Sequence, residues 1–463
     1  MQKNRIFIKL FVLVSIVFAI GVFCSNIGFN PKQSTSLTIF LLSILGTIFF
    51  WEFRLAFAFL GTSILLVSKT IDIENLILSS SLEVILFLIG MMVLIGLLKE
   101  SGFFAWIVTL ILRIRNMNAK GFLFIVSVVS ALLSCAIGEV STIILMVAVI
   151  LEICDYFEVS PVPFIIISVL ATNIGSSGTV LGNPVGILIA SKSGLTFEDF
   201  IFKALPIMLF CLIALIFLVL FMFRKSLKEL DTKIKELGTN DILIKLISIP
   251  PDQHLKKALY VFLTTLVFIT MHHRFETLLG LEPNTVLLVV PLISAALIMI
   301  WKHDKARGYI EHDVEWWTLL FFLLLFAQAG TLKYTNTTNL IAYKLVSFAG
   351  HNQNFLIGMV LWISAIGSSI LDNVVLVAAF IPVIQSFQSI NINPLWWALL
   401  FGGCLGGNIT IVGSTANIIA IGILEKEKSL KISFLYWLGI GLTTGVVTIV
   451  IAWACLVFLP VYK

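Results

Sequence analysis

The sequence predicts an all-α polytopic membrane protein of about 11 transmembrane helices. It places them in two inverted-topology repeats, each with a re-entrant hairpin and a broken helix. Three observations carry this. First, charged residues are 12% of the 463-residue chain and apolar residues 59%, whereas a soluble domain carries roughly 25% charged residues. The apolar runs are continuous and near the ~20 residues that cross a bilayer, unlike the short alternating segments of a β-barrel. Second, CLGGNITIVGSTAN at 404–417 repeats NIGSSGTVLGNPVG at 173–186 without a gap, at an offset of 231. Gly175 falls on Gly406, Thr179 on Thr410 and Gly182 on Gly413. Third, VSALLSCAIGEV at 129–140 matches ISAIGSSILDNV at 363–374, at an offset of 234. This pairs Ser130 with Ser364, Ala131 with Ala365, Ser134 with Ser368 and Glu139 with Asn373. Polar, glycine-rich breaks at equivalent points of two halves mark a transporter built from repeats around a midplane site.

Taken in order, residues 1–35 supply a first transmembrane helix whose Lys3, Arg5 and Lys9 keep the N-terminus cytoplasmic. A cleavable signal peptide has a shorter core, so this helix is retained. Repeat 1 covers 36–223. Its helices at 36–50 and 55–67 turn inside at Glu52 and Arg54, and 82–98 returns inward to Lys99. Residues 103–115, with Arg113 and Arg115, read as an amphipathic segment at the inner interface. Residues 121–153 are too long for one span and too short for two, so they form the hairpin, tipped at Gly138 and Glu139. Pro161 and Pro163 open the broken helix at 161–190, and 202–223 returns inside. The mixed-charge stretch 224–257 is a cytoplasmic connector. Repeat 2, at 258–463, has helices at 258–271, 284–301 and 314–332 and an interfacial helix at 339–348. Its hairpin at 355–390 is tipped at Asp372 and Asn373, and its broken helix lies at 395–424. A last helix, 433–459, leaves the C-terminus outside. With no targeting extension visible, the plasma membrane is the expected location.

Glu139 and Asp372 are acids inside apolar runs. Such an acid marks a functional site, because burying its charge costs at least ~2.5 kcal/mol. Either can bind a proton or a small cation. Alternatively one of them caps a half-helix N-terminus, where a carboxylate also sits well. Asp372 with Asn373 is the candidate Na⁺ pair. Asn173, Ser176, Ser177 and Thr179 surround the first break, and Asn408, Thr410, Ser414 and Thr415 the second. These side chains are candidate neutral ligands, while unwound backbone offers carbonyls to Na⁺ and amides to an anion. The competing reading is small-residue packing with polar groups bonding across helices. Asn183, Pro184 and Asn417 end the breaks and read as structural. Cys135 and Cys404 lie beside the proposed site. A soft thiolate suits a metalloid, and burial as a small hydrophobe is the simpler reading. Gln328 reads as glue between helices, and His272 and His273 as residues of an ordinary helix end. The six cysteines form no CxxC pair, so neither a disulfide framework nor a zinc site is indicated.

Together these segments resemble the ion transporter superfamily, in the branch of arsenite permeases, D-type sodium/proton antiporters and the P protein, with a citrate-transporter-like domain. The resemblance covers 82–223 and 314–442. It rests on LIGMMVLIGLLKESG, NIGSSGTVLGNP, ILDNVVLVAAFIPVI and GGCLGGNITIVGSTAN. It implies a homodimer in which a transport domain moves against a scaffold. The chain departs from the branch in carrying Gly138-Glu139 where the first hairpin usually has Asp-Asn, and Asn183 in the usual Gly-Asp-Pro. It also lacks the Ser-Asn-Thr tips of dicarboxylate symporters.

The expected function is secondary active transport: proton-coupled exchange of a cation such as Na⁺, or of a neutral metalloid such as arsenite. The alternative is a proton- or sodium-coupled di- or tricarboxylate transporter. HExxH, GxSxG and Walker signatures are missing, so an enzyme is not expected; a passive channel is a further alternative. No cofactor is expected beyond the coupling ion, H⁺ and/or Na⁺. Partners are a small ion or molecule, the lipid bilayer and a second copy of the chain, without nucleic acid. A separate ATPase subunit stays open.

Overall fold

Apolar runs fold as helices because, inside a bilayer, only hydrogen bonds within the segment satisfy its backbone. The computed structural model describes residues 2–26, 28–50, 53–112, 118–237, 252–349, 352–387 and 390–462. Among them the chain is helical and has no strand. Glu52, Arg113, Arg115, much of the connector (238–251) and the end of the second hairpin (388–389) lie outside the described residues.

The chain begins with α1 (Gln2–Asn26), α2 (Pro31–Phe49), α3 (Arg54–Val67) and α4 (Ile73–Leu78). Next come α5 (Leu82–Glu100), α6 (Phe103–Leu112), the hairpin arms α7 (Ala119–Ile137) and α8 (Glu139–Tyr156), and the two pieces of the broken helix, α9 (Val162–Gly175) and α10 (Pro184–Ser193). α11 (Leu205–Met222) closes the first half. α12 (Arg224–Leu237), α13 (Gln253–Thr270), α14 (His272–Leu279) and α15 (Thr285–Trp301) lead to the second half. There α16 (Trp316–Tyr334) and α17 (Thr337–Ala349) precede the hairpin α18 (Gln353–Ile370) and α19 (Asn373–Gln385). The broken helix α20 (Asn393–Gly406) and α21 (Thr415–Lys428) and the last span α22 (Phe434–Phe458) follow.

The internal repeat extends to the caps. Asn118 caps α7 by accepting from the Gly121 amide at 2.7 Å, and Asn352, 234 residues later, caps α18 by accepting from Phe355 at 3.1 Å. Asn183 caps α10 through Gly186 (3.0 Å), and Ser414, 231 residues later, caps α21 through Ala416 (3.2 Å). A Cβ on Gly175 would lie 2.2 Å from the Ala131 carbonyl oxygen, and one on Gly406 would lie 2.3 Å from that of Ala365. In each half, therefore, the broken helix lies backbone against backbone on its hairpin, an approach only glycine permits. The halves also exchange partners: α3 packs on α16, and α15 packs on α5.

Among the described residues seven helices are long and apolar enough to cross a membrane, or nine if each bent pair is one span. The sequence-based count of about 11 is higher because it includes breaks and shorter pieces such as α3 and α9, which fall below span length taken alone. α13 and α14 bend by 63°, and α15 turns by 105° into a short helical stretch at 303–313. The connector opens as a helix with a packed face: Leu227 and Leu230 are buried, and Asp231 accepts from the Ala119 amide at 2.7 Å. Its first part is thus fixed against α7.

Candidate functional site

The two hairpin tips meet. Gly138 turns α7 into α8 at a φ of +86°, a conformation that favours glycine, and the Glu139 amide donates to the Gly182 carbonyl at 3.0 Å across the first break. In the second hairpin the equivalent of Gly138 is Asp372, which caps α19. Its Oδ1 accepts from the Val374 amide at 3.0 Å and its Oδ2 from the Thr415 hydroxyl at 2.7 Å. The equivalent of Glu139 is Asn373, whose Nδ2 lies 3.5 Å from both Glu139 carboxylate oxygens. The equivalent tips of the two hairpins thus face each other where the repeats meet.

Behind the tips the two breaks are bonded to each other. Asn173 Nδ2 donates to Asn408 Oδ1 and to Asn417 Oδ1, both at 2.8 Å, and Asn173 Oδ1 accepts from Ser414 at 3.0 Å. Asn417 in turn donates to the Gly407 and Thr410 carbonyls at 2.8 Å each, and Asn408 donates to Leu170 at 3.3 Å. Asn183 donates to the Ser176 hydroxyl (2.9 Å) and the Cys404 sulfur (3.2 Å). Ser176 and Ser177 donate back to the Asn173 and Ile174 carbonyls. Thr179 bonds to the Cys135 carbonyl and Thr410 to that of Ser369, the same link from break to hairpin in both halves. Such mutual satisfaction is what buried polar groups require. It joins Asn173, Ser176, Asn408 and Ser414 into one network spanning the repeat interface.

A cavity of about 320 Å³ opens from Glu139 toward the C-terminal end of α5. Phe87, Met91, Ile95 and Phe322 form apolar walls, and Lys99, Asp313 and Glu315 carry charge around them, beside His312. Lys99 and Asp313 pair at 3.4 Å. First-turn residues of four helices line this cavity: Glu139 of α8, Pro184 of α10, Val374 of α19 and Thr415 of α21. Each helix therefore directs the positive end of its dipole here. Glu139 is only 4% exposed. Its polar neighbours are Asn373, Asn183 and Ser176, with the Asp372 carboxylate close enough to interact electrostatically, and among the described residues it has no cationic side chain at ion-pair distance.

Of the residues expected from the sequence, Glu139 and Thr415 line the cavity, Asp372 and Asn373 form the facing tip, Asn173, Ser176, Asn408 and Ser414 build the network behind, and Ser177, Thr179 and Thr410 bond to backbone carbonyls. Asn417, read as a helix restart, is central to that network. Arg54, read as a turn marker, donates to Thr318 at 3.4 Å and interacts electrostatically with Asp372 and Glu315. Its charge between two apolar runs was the available signal. Gln328 donates to the Ala58 carbonyl at 2.9 Å, tying α16 to α3. His272 is buried, with Nδ1 2.9 Å from the Ile269 carbonyl. Among the described residues no three His, Cys, Asp or Glu side chains are grouped as a metal site.

The family model described as citrate transporter (CitMHS) matches residues 44–402. The chain belongs to this family. An uncharacterized transporter of Mycobacterium tuberculosis (strain CDC 1551 / Oshkosh) is 29% identical over 375 residues, which are 80% of this chain and 84% of that protein. The P protein of Homo sapiens is 25% identical over 436 residues, covering 79% of this chain and 52% of its own length, as the resemblance to that branch led us to expect. The crystal structure of the Alcanivorax borkumensis YdaH transporter, described as having an unusual topology, superposes with a TM-score of 0.51 at 13% identity. It covers 80% of this chain and 84% of its own, a likeness of fold. This member of the citrate transporter family is thus an integral membrane transporter.

Proposed function

We propose that the chain is a proton-coupled secondary transporter in which Glu139 carries the exchanged proton. One observation supports this above others: Glu139 lines the cavity and makes no cap bond of its own, whereas the other tip acid is engaged as a cap. The cargo in this reading is a cation such as Na⁺, or a neutral metalloid hydroxide such as arsenite, moved against protons. Asp313 and Glu315 on the same cavity suit a cation. The protein works as a homodimer in the plasma membrane with its N-terminus cytoplasmic and C-terminus outside, so the Glu139 cavity faces the cytoplasm through the Lys99 end of α5. The coupling ion is H⁺, Na⁺ or both.

A second reading, coupled carboxylate transport, is supported by the four helix N-termini on the cavity and by the family's description. A flux panel with Na⁺, Li⁺, arsenite and citrate under an imposed pH gradient in proteoliposomes separates the readings. Gradient-driven Na⁺ or arsenite flux lost in Glu139→Gln supports the first. Citrate uptake that depends on Asn373 and on Ser176 to Thr179 supports the second. Flux that persists in Glu139→Gln removes the role given to that carboxyl.

A further inference from the structure

The repeat has a consequence at the opposite end of the molecule. A second cavity of about 330 Å³ lies at the other end of the α5 and α16 pair, where α16 finishes and α5 begins. Its wall is the first cavity's wall carried across the repeat. Adding 234 to Ile95, Gly96 and Lys99 of the first gives Ala329, Gly330 and Lys333 of the second. Subtracting 234 from His312, Asp313 and Glu315 of the first gives Leu78, Ser79 and Ser81 of the second. The closest contact is repeated too: a Cβ on Gly96 would meet Asp313 at 2.8 Å, and one on Gly330 would meet Ser79 at 2.3 Å.

The two cavities differ in charge. Where the first has Asp313 and Glu315, the second has hydroxyls, and its charged lining residues are Lys192 and Lys333. Lys333 donates to the neutral amide oxygen of Gln385 at 2.9 Å, and the same amide donates to the Lys192 carbonyl at 3.1 Å. Lys192 pairs with Glu83 at 2.6 Å, and Tyr334 donates to Asp72 at 3.2 Å. One ammonium is therefore balanced by a carboxylate. The other, on Lys333, is held toward the cavity by an uncharged acceptor.

We propose that this second cavity is an anion-collecting vestibule, in which Lys333 and Lys192 bind a small oxyanion such as a carboxylate or phosphate on the face opposite the Glu139 cavity. Its volume is in the range of sites for small molecules. Ammonium groups in a concave, partly apolar wall focus field lines and raise the local anion concentration. Gln385 is a positioning residue that fixes the Lys333 head, and Ser79 and Ser81 add hydroxyl donors. The vestibule holds whichever cargo Glu139 couples to, since it requires only occupancy of this face.

The test uses the full-length protein in phosphatidylcholine vesicles with Leu78→Cys as reporter. Leu78 lines the cavity and is 72% exposed. The rate of modification by an anionic methanethiosulfonate is compared with that by a cationic one, and the parent chain gives the background from native cysteines. The anionic reagent should react faster by about threefold or more, as expected where a positive field concentrates anions. Citrate or phosphate should slow the reaction. Lys333→Gln with Lys192→Gln should abolish both effects, and Lys333→Arg should restore them. Slowing by free citrate or phosphate assigns the oxyanion to solution. Slowing only when phosphatidylglycerol is added assigns the same chemistry to a lipid headgroup. Equal rates for the two reagents, or protection unchanged in the double variant, would overturn the proposal. Because the readout is thiol modification, a failed flux panel leaves this result standing.

Discussion

The two hairpin tips have the same architecture and place their acids one residue apart. In the second tip the acid occupies the cap position itself, so Asp372 is taken up by the Val374 amide and the Thr415 hydroxyl. In the first tip that position is Gly138, which makes the turn from backbone alone, and the acid moves one residue on, into the first turn of α8. There Glu139 makes no cap bond and lines the cavity. A one-residue shift of a carboxylate thus separates a helix cap from a side chain that lines the cavity without capping. A charge difference also runs through the halves at large: both cavities carry the equivalent lysine, Lys99 or Lys333, but only the first adds carboxylates, on walls related by the same offset.

The strongest way to break this comparison is Glu139→Gln. It keeps the size of the side chain and one acceptor oxygen for Asn373, and removes the ionisable group. Cargo flux driven by a pH gradient should fall by about tenfold or more, a loss of at least ~1.4 kcal/mol in the coupled step. Flux driven by the cargo's own gradient should fall less.

A second substitution addresses the network joining the halves. Asn173→Ala strips partners from Asn408, Asn417 and Ser414 together. Leaving buried polar groups unpaired costs about 1–3 kcal/mol each, so the melting temperature in detergent should drop clearly. An unchanged melting temperature would show that the interface does not depend on this side chain.

The glycine pair offers a test of symmetry. Gly175→Ala and Gly406→Ala each force a methyl onto a carbonyl oxygen of the neighbouring hairpin. Each should destabilise by about 1–3 kcal/mol, typical of overpacking, and by similar amounts. Unequal losses would show that the two hairpin contacts carry different loads. The smallest effect belongs to Asp372→Asn. Asparagine caps a helix about as well as aspartate, so thermal stability should fall by less than the ~1 kcal/mol that losing a cap typically costs.

Much of this arrangement was legible in the sequence because glycine and polar residues inside apolar runs leave few readings. The gapless match of 173–186 to 404–417 located both breaks, and Glu139 stood out as a charge in an apolar segment. The network was harder to see. Asn417 looked like a helix restart, since nothing in its own segment shows that Asn173, 244 residues earlier, donates to it. The second cavity was hidden for a related reason. Residues 78–81 read LSSS and 312–315 read HDVE, so their equivalence is carried by backbone position and not by residue type. Capping by Asp372 was one of two alternatives the sequence left open, and the Thr415 hydroxyl that bonds the same carboxylate, 43 residues away, was not visible there.

The claim that matters most is that the two tip acids divide their work. It is tested by reconstituting Glu139→Gln and Asp372→Asn side by side and following lumenal pH with an impermeant dye while cargo is added. The account predicts that proton movement is lost in Glu139→Gln and retained in Asp372→Asn. Proton movement retained in the first variant, or lost equally in both, would contradict it.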